Sequence, residues 1–375
     1  MADMEMPKTL RALLARLDEQ GTTDHRRYEE VRRYLNFKAR DKGVPISGSF
    51  ELTPLCNLDC KMCYVHLNKE QMKGAQLLTT EQWKDIMQQA IDAGMMYATL
   101  TGGECLTHPG FKELYLFLRE YGVEISILSN GLLMDEEMVE FLNRNTPSMI
   151  QVSLYGASED AYERVTGKRV FRDIVQNITR IKEAGLPLVI AVTPSSYMMD
   201  GEEILRFLKD HEFSYQISSG LIAPRKETER DLADAGLETY VKLFRLLKEQ
   251  NGILPEPECD IELLPEPGGN CDDSLIGVHC SAGRGSFAVD WRGGLLPCNA
   301  FPCKAENVIE LGFDEAWKRI NSIANAFPLP KECEGCSYRS ECRNCVAEHA
   351  SGAEIGHASR RICDWTKRMK AEGLL

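Results

Sequence analysis

The chain has 375 residues, of which 43% are hydrophobic and 27% are charged, and its formal net charge is -13. These values are ordinary for a globular protein of one large or two average domains, and an acidic chain without basic blocks is not expected to bind nucleic acid. The N-terminus lacks the basic and apolar regions of a signal peptide, and no apolar run approaches the about eighteen residues of a membrane span. We therefore expect a cytoplasmic protein that does not enter a membrane.

Residues 1–219 alternate between helical and strand patterns. Residues 1–47 predict an N-terminal helical segment, with leucines at helical spacing before a second, polar helix over 28–42. Between residues 48 and 219, six strand candidates alternate with helices, and Thr79 with Gln82 forms a capping box before one of these helices. Strand and helix in alternation indicate parallel pairing through crossovers. The predicted fold class is α/β, a partial (β/α)6 TIM-like barrel with reactive groups at the strand C-terminal ends.

The last third of the chain has a different pattern. Residues 220–270 predict a helix over 237–250 and a linker rich in proline, glycine and glutamate. Residues 271–375 combine little periodicity with many cysteines, which predicts a small cysteine-rich, cluster-binding C-terminal domain. We expect metal ligation rather than a large apolar core to stabilise this domain.

The fourteen cysteines are clustered along the chain. Three lie between 56 and 63, one is Cys105, and ten lie between 259 and 363. In a reducing cytosol such clusters bind metal more often than they form disulfides. We therefore expect metal sites, and we expect Cys105 to be a buried structural thiol.

The segment CNLDCKMCY, directly after the first predicted strand, places Cys56, Cys60 and Cys63 with three and then two intervening residues. Three thiolates can hold three irons of a 4Fe-4S cubane and leave the fourth iron open. This spacing in the loop after the first strand of a βα barrel resembles the radical S-adenosylmethionine (radical SAM) superfamily, over about residues 48–219. The resemblance implies an enzyme that cleaves S-adenosylmethionine reductively to a 5′-deoxyadenosyl radical, which abstracts hydrogen from a substrate. A zinc knuckle is the competing interpretation of the triplet.

The resemblance also implies residues that bind the cofactor. The segment TGGEC follows the second strand, and glycines there allow a close backbone approach. In the family the GGE segment contacts the methionine amino group, serines after the third and fourth strands bind ribose or carboxylate, an arginine pairs with the carboxylate, and an aromatic residue packs near the adenine. The corresponding residues here are Tyr64, Gly102, Gly103, Glu104, Ser129, Ser153 and Arg164.

The C-terminal cysteines resemble the SPASM domain, which carries two auxiliary 4Fe-4S clusters in relatives. The family pattern assigns a distal cluster to Cys333, Cys336, Cys342 and Cys363, and a proximal cluster to Cys280, Cys298 and Cys345. The gap between Cys342 and Cys345 is two residues, where the family commonly has three. The fourth proximal ligand stays open between Cys271, Cys303 and no protein ligand, and Cys259 has no assignment. A module that binds two zinc ions is the alternative.

Relatives with both domains mostly modify peptides, so the resemblance implies a ribosomally made peptide substrate and a flavodoxin- or ferredoxin-type electron donor. The alternatives are a small-molecule or cofactor precursor as substrate, or a zinc-stabilised binding protein. Asn299 replaces the aspartate that acts as base in sulfatase-maturing relatives, which disfavours that oxidation. The first 47 residues are too short for the winged-helix leader-binding module of many relatives. Asp290 and Arg225 are candidate bases or anchors, although turns or surface ion pairs are the more common setting for such residues.

Overall fold

The computed structural model describes residues 24–67, 70–195, 197–198, 200–217, 233–251, 280–301, 303–328, 330–339, 341–342, 345–352 and 356–375. Cys259, Cys271 and Arg225, most of the linker over 220–270 and the first part of the N-terminal segment lie outside these ranges. None of the helices in the described ranges is long and apolar enough to span a membrane.

The described chain forms α-helices and a single nine-stranded sheet. The helices are α1 Asp24–Lys42, α2 Thr80–Asp92, α3 Phe111–Glu120, α4 Glu136–Arg144, α5 Glu159–Thr166, α6 Phe171–Glu183, α7 Gly201–Asp210, α8 Ala233–Asn251, α9 Val308–Leu311, α10 Phe313–Ala326, α11 Val346–Gly352 and α12 Arg360–Ala371. The strands are β1 Ser47–Glu51, β2 Tyr97–Thr101, β3 Glu124–Ser129, β4 Met149–Leu154, β5 Leu188–Val192, β6 Tyr215–Ile217, β7 Ser286–Val289, β8 Gly294–Leu296 and β9 Glu306–Asn307.

Strands β1 to β6 are parallel neighbours in chain order, with at least one helix between each pair. This is the arrangement of six βα units in a partial barrel, so the predicted fold class is confirmed. The predicted cap of α2 is also present, because the Thr79 side chain accepts from the Gln82 backbone while the Gln82 side chain accepts from the Thr79 backbone. The helix expected over 237–250 is α8.

The sheet separates an apolar outer layer from a polar inner row. Phe50, Leu100 and Ile127 are fully buried, and Phe50 packs edge-on against Trp83 of α2. Since successive side chains on a strand point to opposite faces, the residue before Phe50, Ser49, faces inward. The registers Ser49↔Thr99 and Thr99↔Ser126 extend this inner row over β1, β2 and β3.

The C-terminal segment extends the barrel sheet. Strand β7 pairs in parallel with β1, with Phe50 opposite Val289, and the β7–β8 hairpin continues the sheet to β9. Phe287, Val289 and Leu295 belong to the same buried cluster as the barrel core. The expectation that metal ligation rather than an apolar core stabilises this region is therefore wrong for the part that includes β7, β8 and the following helices. Pairing between segments more than 200 residues apart leaves no local pattern in the sequence.

Helix α1 lies against the N-terminal ends of the strands. The Tyr28 hydroxyl donates a hydrogen bond to Glu124, the first residue of β3. The Arg32 guanidinium lies 4.9 Å from the centroid of the Tyr97 ring, at the start of β2. The end of the barrel opposite to the strand C-termini is thus covered, and the accessible chemistry is directed to the C-terminal ends.

Candidate active site

The cysteine triplet lies in the loop after β1, and backbone hydrogen bonds fix this loop on two sides. The amides of Asp59 and Lys61 donate to the carbonyls of Thr166 and Val165 at the end of α5, each at 3.0 Å. The Leu67 amide donates to the Pro54 carbonyl at 3.1 Å and returns the loop to its start. The triplet is therefore held at the C-terminal end of the barrel by backbone contacts that do not depend on its side chains.

The structure brings the three triplet thiols together. Burial raises the pKa of Cys56 to about 11 and that of Cys60 well above its usual range, and the neighbouring triplet thiols add to both increases. The Leu58 amide donates to the Cys56 sulfur at 3.4 Å, and the His66 amide donates to the Cys63 sulfur at 3.2 Å. Such buried thiols keep their protons while no metal is bound, and the N–H donors stabilise the thiolates that form when a cationic group binds.

The donor set fits a 4Fe-4S cluster, because three neighbouring thiols supply three ligands and leave one iron open. No group of three or more histidine, cysteine, aspartate and glutamate side chains in the described part of the chain has the geometry of a single-ion site. The chemistry and mutual proximity of the thiols therefore support a cluster site.

Gly102 and Gly103 follow β2 and permit a close approach, but their neighbour is protein backbone. A Cβ on Gly102 would lie 2.5 Å from the Thr53 carbonyl oxygen, and one on Gly103 would lie 2.3 Å from that of Leu55. The Gly103 amide donates to the Thr53 oxygen at 2.7 Å. The sequence predicted an approach to a ligand, whereas these glycines let the β2 loop pack directly on the loop that carries the triplet.

Glu104 is buried, with 1% of its surface exposed, and protein donors surround both carboxylate oxygens. Oε2 accepts from the Asn130 amide at 2.7 Å, and Oε1 accepts from the Leu106 amide at 3.1 Å. The Ser129 hydroxyl lies 3.0 and 3.1 Å from the two oxygens. Burial raises the pKa of Glu104, and these hydrogen bonds oppose the increase. Glu104 thus ties the loop after β2 to the loop after β3.

The other predicted cofactor contacts are spread around the strand ends. Ser153 lies on β4, one residue before the strand ends. The Arg164 guanidinium lies 3.7 Å from the Asp200 carboxylate, and its Nε donates to the Tyr197 carbonyl at 3.3 Å. Tyr64 follows the triplet directly and is half-buried. These residues lie at strand ends or in the adjoining loops and helix, but the partners of Arg164 are protein groups.

The C-terminal thiols fall into two groups. Burial raises the pKa of Cys298 to about 12, and the neighbouring thiols of Cys280 and Cys345 add to the increase. Burial likewise raises the pKa of Cys333 to about 11, with contributions from the three thiols of Cys336, Cys342 and Cys363. These two sets of neighbours are the sets that the family resemblance assigned to the proximal and distal clusters.

Two further cysteines have other surroundings. Burial raises the pKa of Cys303 to about 11, and the charge of Glu306 adds to the increase. Cys303 packs with Cys298 against one small apolar cluster. Cys105 is fully buried and its sulfur donates to the Leu128 carbonyl at 3.3 Å. Cys105 therefore packs in the core behind Glu104, as the sequence predicted for a structural thiol.

Asp290 forms a turn within the C-terminal segment, and Asn299 contacts the barrel. Asp290 is a turn residue, because its Oδ1 accepts from the amides of Arg292 and Gly294, both at 2.9 Å. The predicted turn setting of Asp290 is confirmed. Asn299 Nδ2 lies 3.4 Å from the Ser49 hydroxyl on the inner face of β1. Because Asn299 directly follows Cys298, this contact brings the Cys280, Cys298 and Cys345 group next to the inner row.

Sequence reasoning missed one side chain that contacts the triplet. Asn130 Nδ2 lies 3.5 Å from the Cys56 sulfur and donates to Asn57 at 2.6 Å. Asn130 directly follows β3, at the position where parallel strands bring reactive groups together, and this placement is the signal that could have identified it.

The chain resembles known proteins in sequence. Residues 50–208 match the family model of the Radical SAM superfamily. The sporulation killing factor maturation protein SkfB of Bacillus subtilis is 32% identical over 154 residues, which cover 41% of this chain and 37% of SkfB. The antilisterial bacteriocin subtilosin biosynthesis protein AlbA of the same organism is 22% identical over 352 residues, 88% of this chain and 73% of AlbA. An AdoMet-dependent heme synthase of Methanosarcina barkeri is 24% identical over 322 residues, 80% of this chain and 90% of that protein.

The fold also matches a solved structure. Native anSMEcpe with bound AdoMet and the Cp18Cys peptide superposes with a TM-score of 0.69 at 16% identity, over 88% of this chain and 96% of that one. At this identity the likeness establishes the fold alone. The fold, the thiol triplet at the strand C-terminal ends and the family match over residues 50–208 agree. Residues 50–208 therefore form a radical SAM domain, a family that implies S-adenosylmethionine and a 4Fe-4S cluster.

Proposed function

We propose that the chain is a peptide-modifying radical SAM enzyme with three 4Fe-4S clusters. Cys56, Cys60 and Cys63 hold the cluster that binds S-adenosylmethionine, and residues 271–375 form a SPASM domain with two auxiliary clusters. The distal ligands are Cys333, Cys336, Cys342 and Cys363, and the proximal ligands are Cys280, Cys298 and Cys345. When bound, the first cluster and S-adenosylmethionine supply a 5′-deoxyadenosyl radical for hydrogen abstraction.

The separation of the C-terminal thiols into two groups carries the proposal of auxiliary clusters. Four mutual neighbours around Cys333 supply a complete ligand set for one cubane, and three around Cys298 supply all but one ligand of another. Cys303 packs with Cys298 against the same small apolar cluster, so Cys271, Cys303 or an open iron completes the proximal cluster.

The contacts around the inner row support a substrate site between the barrel and the auxiliary clusters. Ser49, Thr99 and Ser126 lie side by side on the inner face, and Gln151 on β4 is hydrogen-bonded to Gln216 on β6 at 2.5 Å. These groups are neutral and can donate and accept hydrogen bonds. They suit the backbone and polar side chains of a peptide segment that reaches the strand C-terminal ends.

The names of the relatives support a peptide substrate. SkfB and AlbA are named for maturation of a killing factor and biosynthesis of a bacteriocin, and the anSMEcpe structure holds a peptide.

We propose that the cofactor site is formed by Tyr64, Gly102, Gly103, Glu104, Ser129, Ser153 and Arg164. Within this set the role of Glu104 is a supporting one. Protein groups already donate hydrogen bonds to its carboxylate, so Glu104 holds the loops of the cofactor site in place.

A cofactor precursor is the second candidate substrate. The heme synthase of Methanosarcina barkeri matches over 90% of its own length, so the likeness is not confined to the barrel. A flavodoxin- or ferredoxin-type protein is the electron donor that we propose in either case, because the reaction needs single electrons at low potential.

The substrate class can be tested without knowing the substrate. The enzyme, reconstituted without oxygen and supplied with S-adenosylmethionine and dithionite, is mixed with extracts of cells that carry its gene, divided by size into a peptide and a small-molecule fraction. We expect the peptide fraction to increase 5′-deoxyadenosine formation, and we expect protease treatment of that fraction to remove the increase. An increase with the small-molecule fraction alone, insensitive to protease, would overturn the peptide proposal in favour of the precursor. A triple variant with Ala at positions 56, 60 and 63 gives the background.

A further inference from the structure

The thiols of the triplet do not share one environment. Cys60 is 8% exposed, whereas Cys56 and Cys63 are half-buried. The sulfurs of Cys56 and Cys63 receive backbone hydrogen bonds, and among the contacts of the described chain Cys56 alone also receives one from a side chain that follows another strand. Backbone amides such as those of Leu58 and His66 come with the fold of the loop, while side-chain donors can be changed one at a time.

Asn130 is held so that its amide group points at Cys56. Its backbone amide donates to Glu104 at 2.7 Å, and its Oδ1 accepts from the Leu132 amide at 3.0 Å. This second bond fixes the side-chain amide orientation, because the oxygen is used and the NH2 group must face Asn57 and the Cys56 sulfur, at 2.6 and 3.5 Å. Asn130 is 7% exposed, so water does not compete for these donors.

We propose that Asn130 is a positioning residue that hydrogen-bonds to the Cys56 thiolate and raises the reduction potential of the cluster bound there. This inference rests on the proposed ligation of the cluster by the triplet. Reduction adds negative charge to a cluster in a poorly hydrated site, and a donor to one of its sulfurs stabilises the more negative state. Asn130 therefore eases the electron uptake that precedes cleavage of S-adenosylmethionine.

The test is a reductive titration of the full-length, reconstituted enzyme, followed by the EPR signal that changes when S-adenosylmethionine is added. Asn130→Ala removes the NH2 donor, so we expect about a tenfold smaller equilibrium constant for reduction, which is about 59 mV for a one-electron couple. Thr166→Val is the control, because it removes a buried hydroxyl beside the triplet loop. In the described chain this hydroxyl bonds to the Tyr162 carbonyl at 2.7 Å and to no sulfur.

The outcomes separate the inference from the proposal on which it rests. A lower potential in Asn130→Ala with full iron content, and an unchanged potential in Thr166→Val, would support the inference. A wild-type potential in Asn130→Ala, or loss of iron without any shift of the remaining signal, would overturn it. If the signal that responds to S-adenosylmethionine persists when Cys56, Cys60 and Cys63 are all replaced by Ala, the proposed ligation itself is wrong.

Discussion

Replacing Glu104 by Gln should weaken the fold itself, because the carboxylate joins two loops of the barrel. A glutamine has one acceptor oxygen, so it can serve the amide of Leu106 or that of Asn130 but not both. The other amide loses its partner and faces an NH2 group. A hydrogen bond to a charged group contributes about 1.5–3 kcal/mol, and relief of the buried charge offsets part of the loss. We expect Glu104→Gln to lower the free energy of unfolding by about 2 kcal/mol.

The assay is urea unfolding of the cluster-free protein at neutral pH, followed by tryptophan fluorescence, so that neither cluster nor S-adenosylmethionine contributes. Glu81→Gln is the control, because the Glu81 side chain is 80% exposed and pairs only at the surface with Lys84. We expect this control to stay within about 0.5 kcal/mol of wild type. If Glu104→Gln is as stable as Glu81→Gln, then Glu104 does not tie the loops together, and its role lies in contact with the cofactor.

Three further predictions concern the glycine contact, the thiol and the turn. Gly103→Ala should lower the unfolding midpoint in urea by more than Gly74→Ala, because its Cβ would lie 2.3 Å from the Leu55 oxygen. Gly74 has nothing within 4 Å, so alanine there meets only the cost of the positive φ of +79°, about 1–2 kcal/mol; equal midpoints would contradict this. Cluster-free protein should lose stability as the pH rises from about 9 to about 11, because over this range the folded Cys56 thiol keeps its proton and the unfolded thiol releases it. The loss, measured as the decrease of the urea midpoint, should be smaller in Cys56→Ala, and an equal loss would refute this prediction. Asp290→Asn should keep the rate of 5′-deoxyadenosine formation within about threefold of the wild-type rate, because the amide oxygen still accepts the turn hydrogen bonds. Loss of a catalytic base would lower the rate by about 100-fold or more.

Local patterns in the sequence predicted the local features of the fold. The capping box of Thr79 and Gln82 and the six barrel strands each depend on neighbouring residues, and the structure has all of them. The pairing of β7 with β1 was missed, because it joins Gly48 to Phe287 across 239 positions that carry no shared pattern.

The candidate site was predictable in its position but not in its contacts. A Gly-Gly-Glu segment after a strand marks a place of close approach, but the partner of that approach depends on the neighbouring loop. Here the partner is the Thr53–Leu55 backbone for the glycines and the Asn130 amide for Glu104. The contact of the Asn130 amide with the Cys56 sulfur depends likewise on the packing of adjacent strand ends, which no spacing along the chain encodes.

The most direct test of the whole account is iron counting combined with an assay for 5′-deoxyadenosine under reducing, oxygen-free conditions, on the wild type and on the triple Ala variant of Cys56, Cys60 and Cys63. We predict about twelve irons per wild-type chain, about four fewer in the variant, and 5′-deoxyadenosine formation in the wild type alone. Tightly held zinc without cleavage of S-adenosylmethionine, or cleavage that persists in the triple variant, would contradict the account.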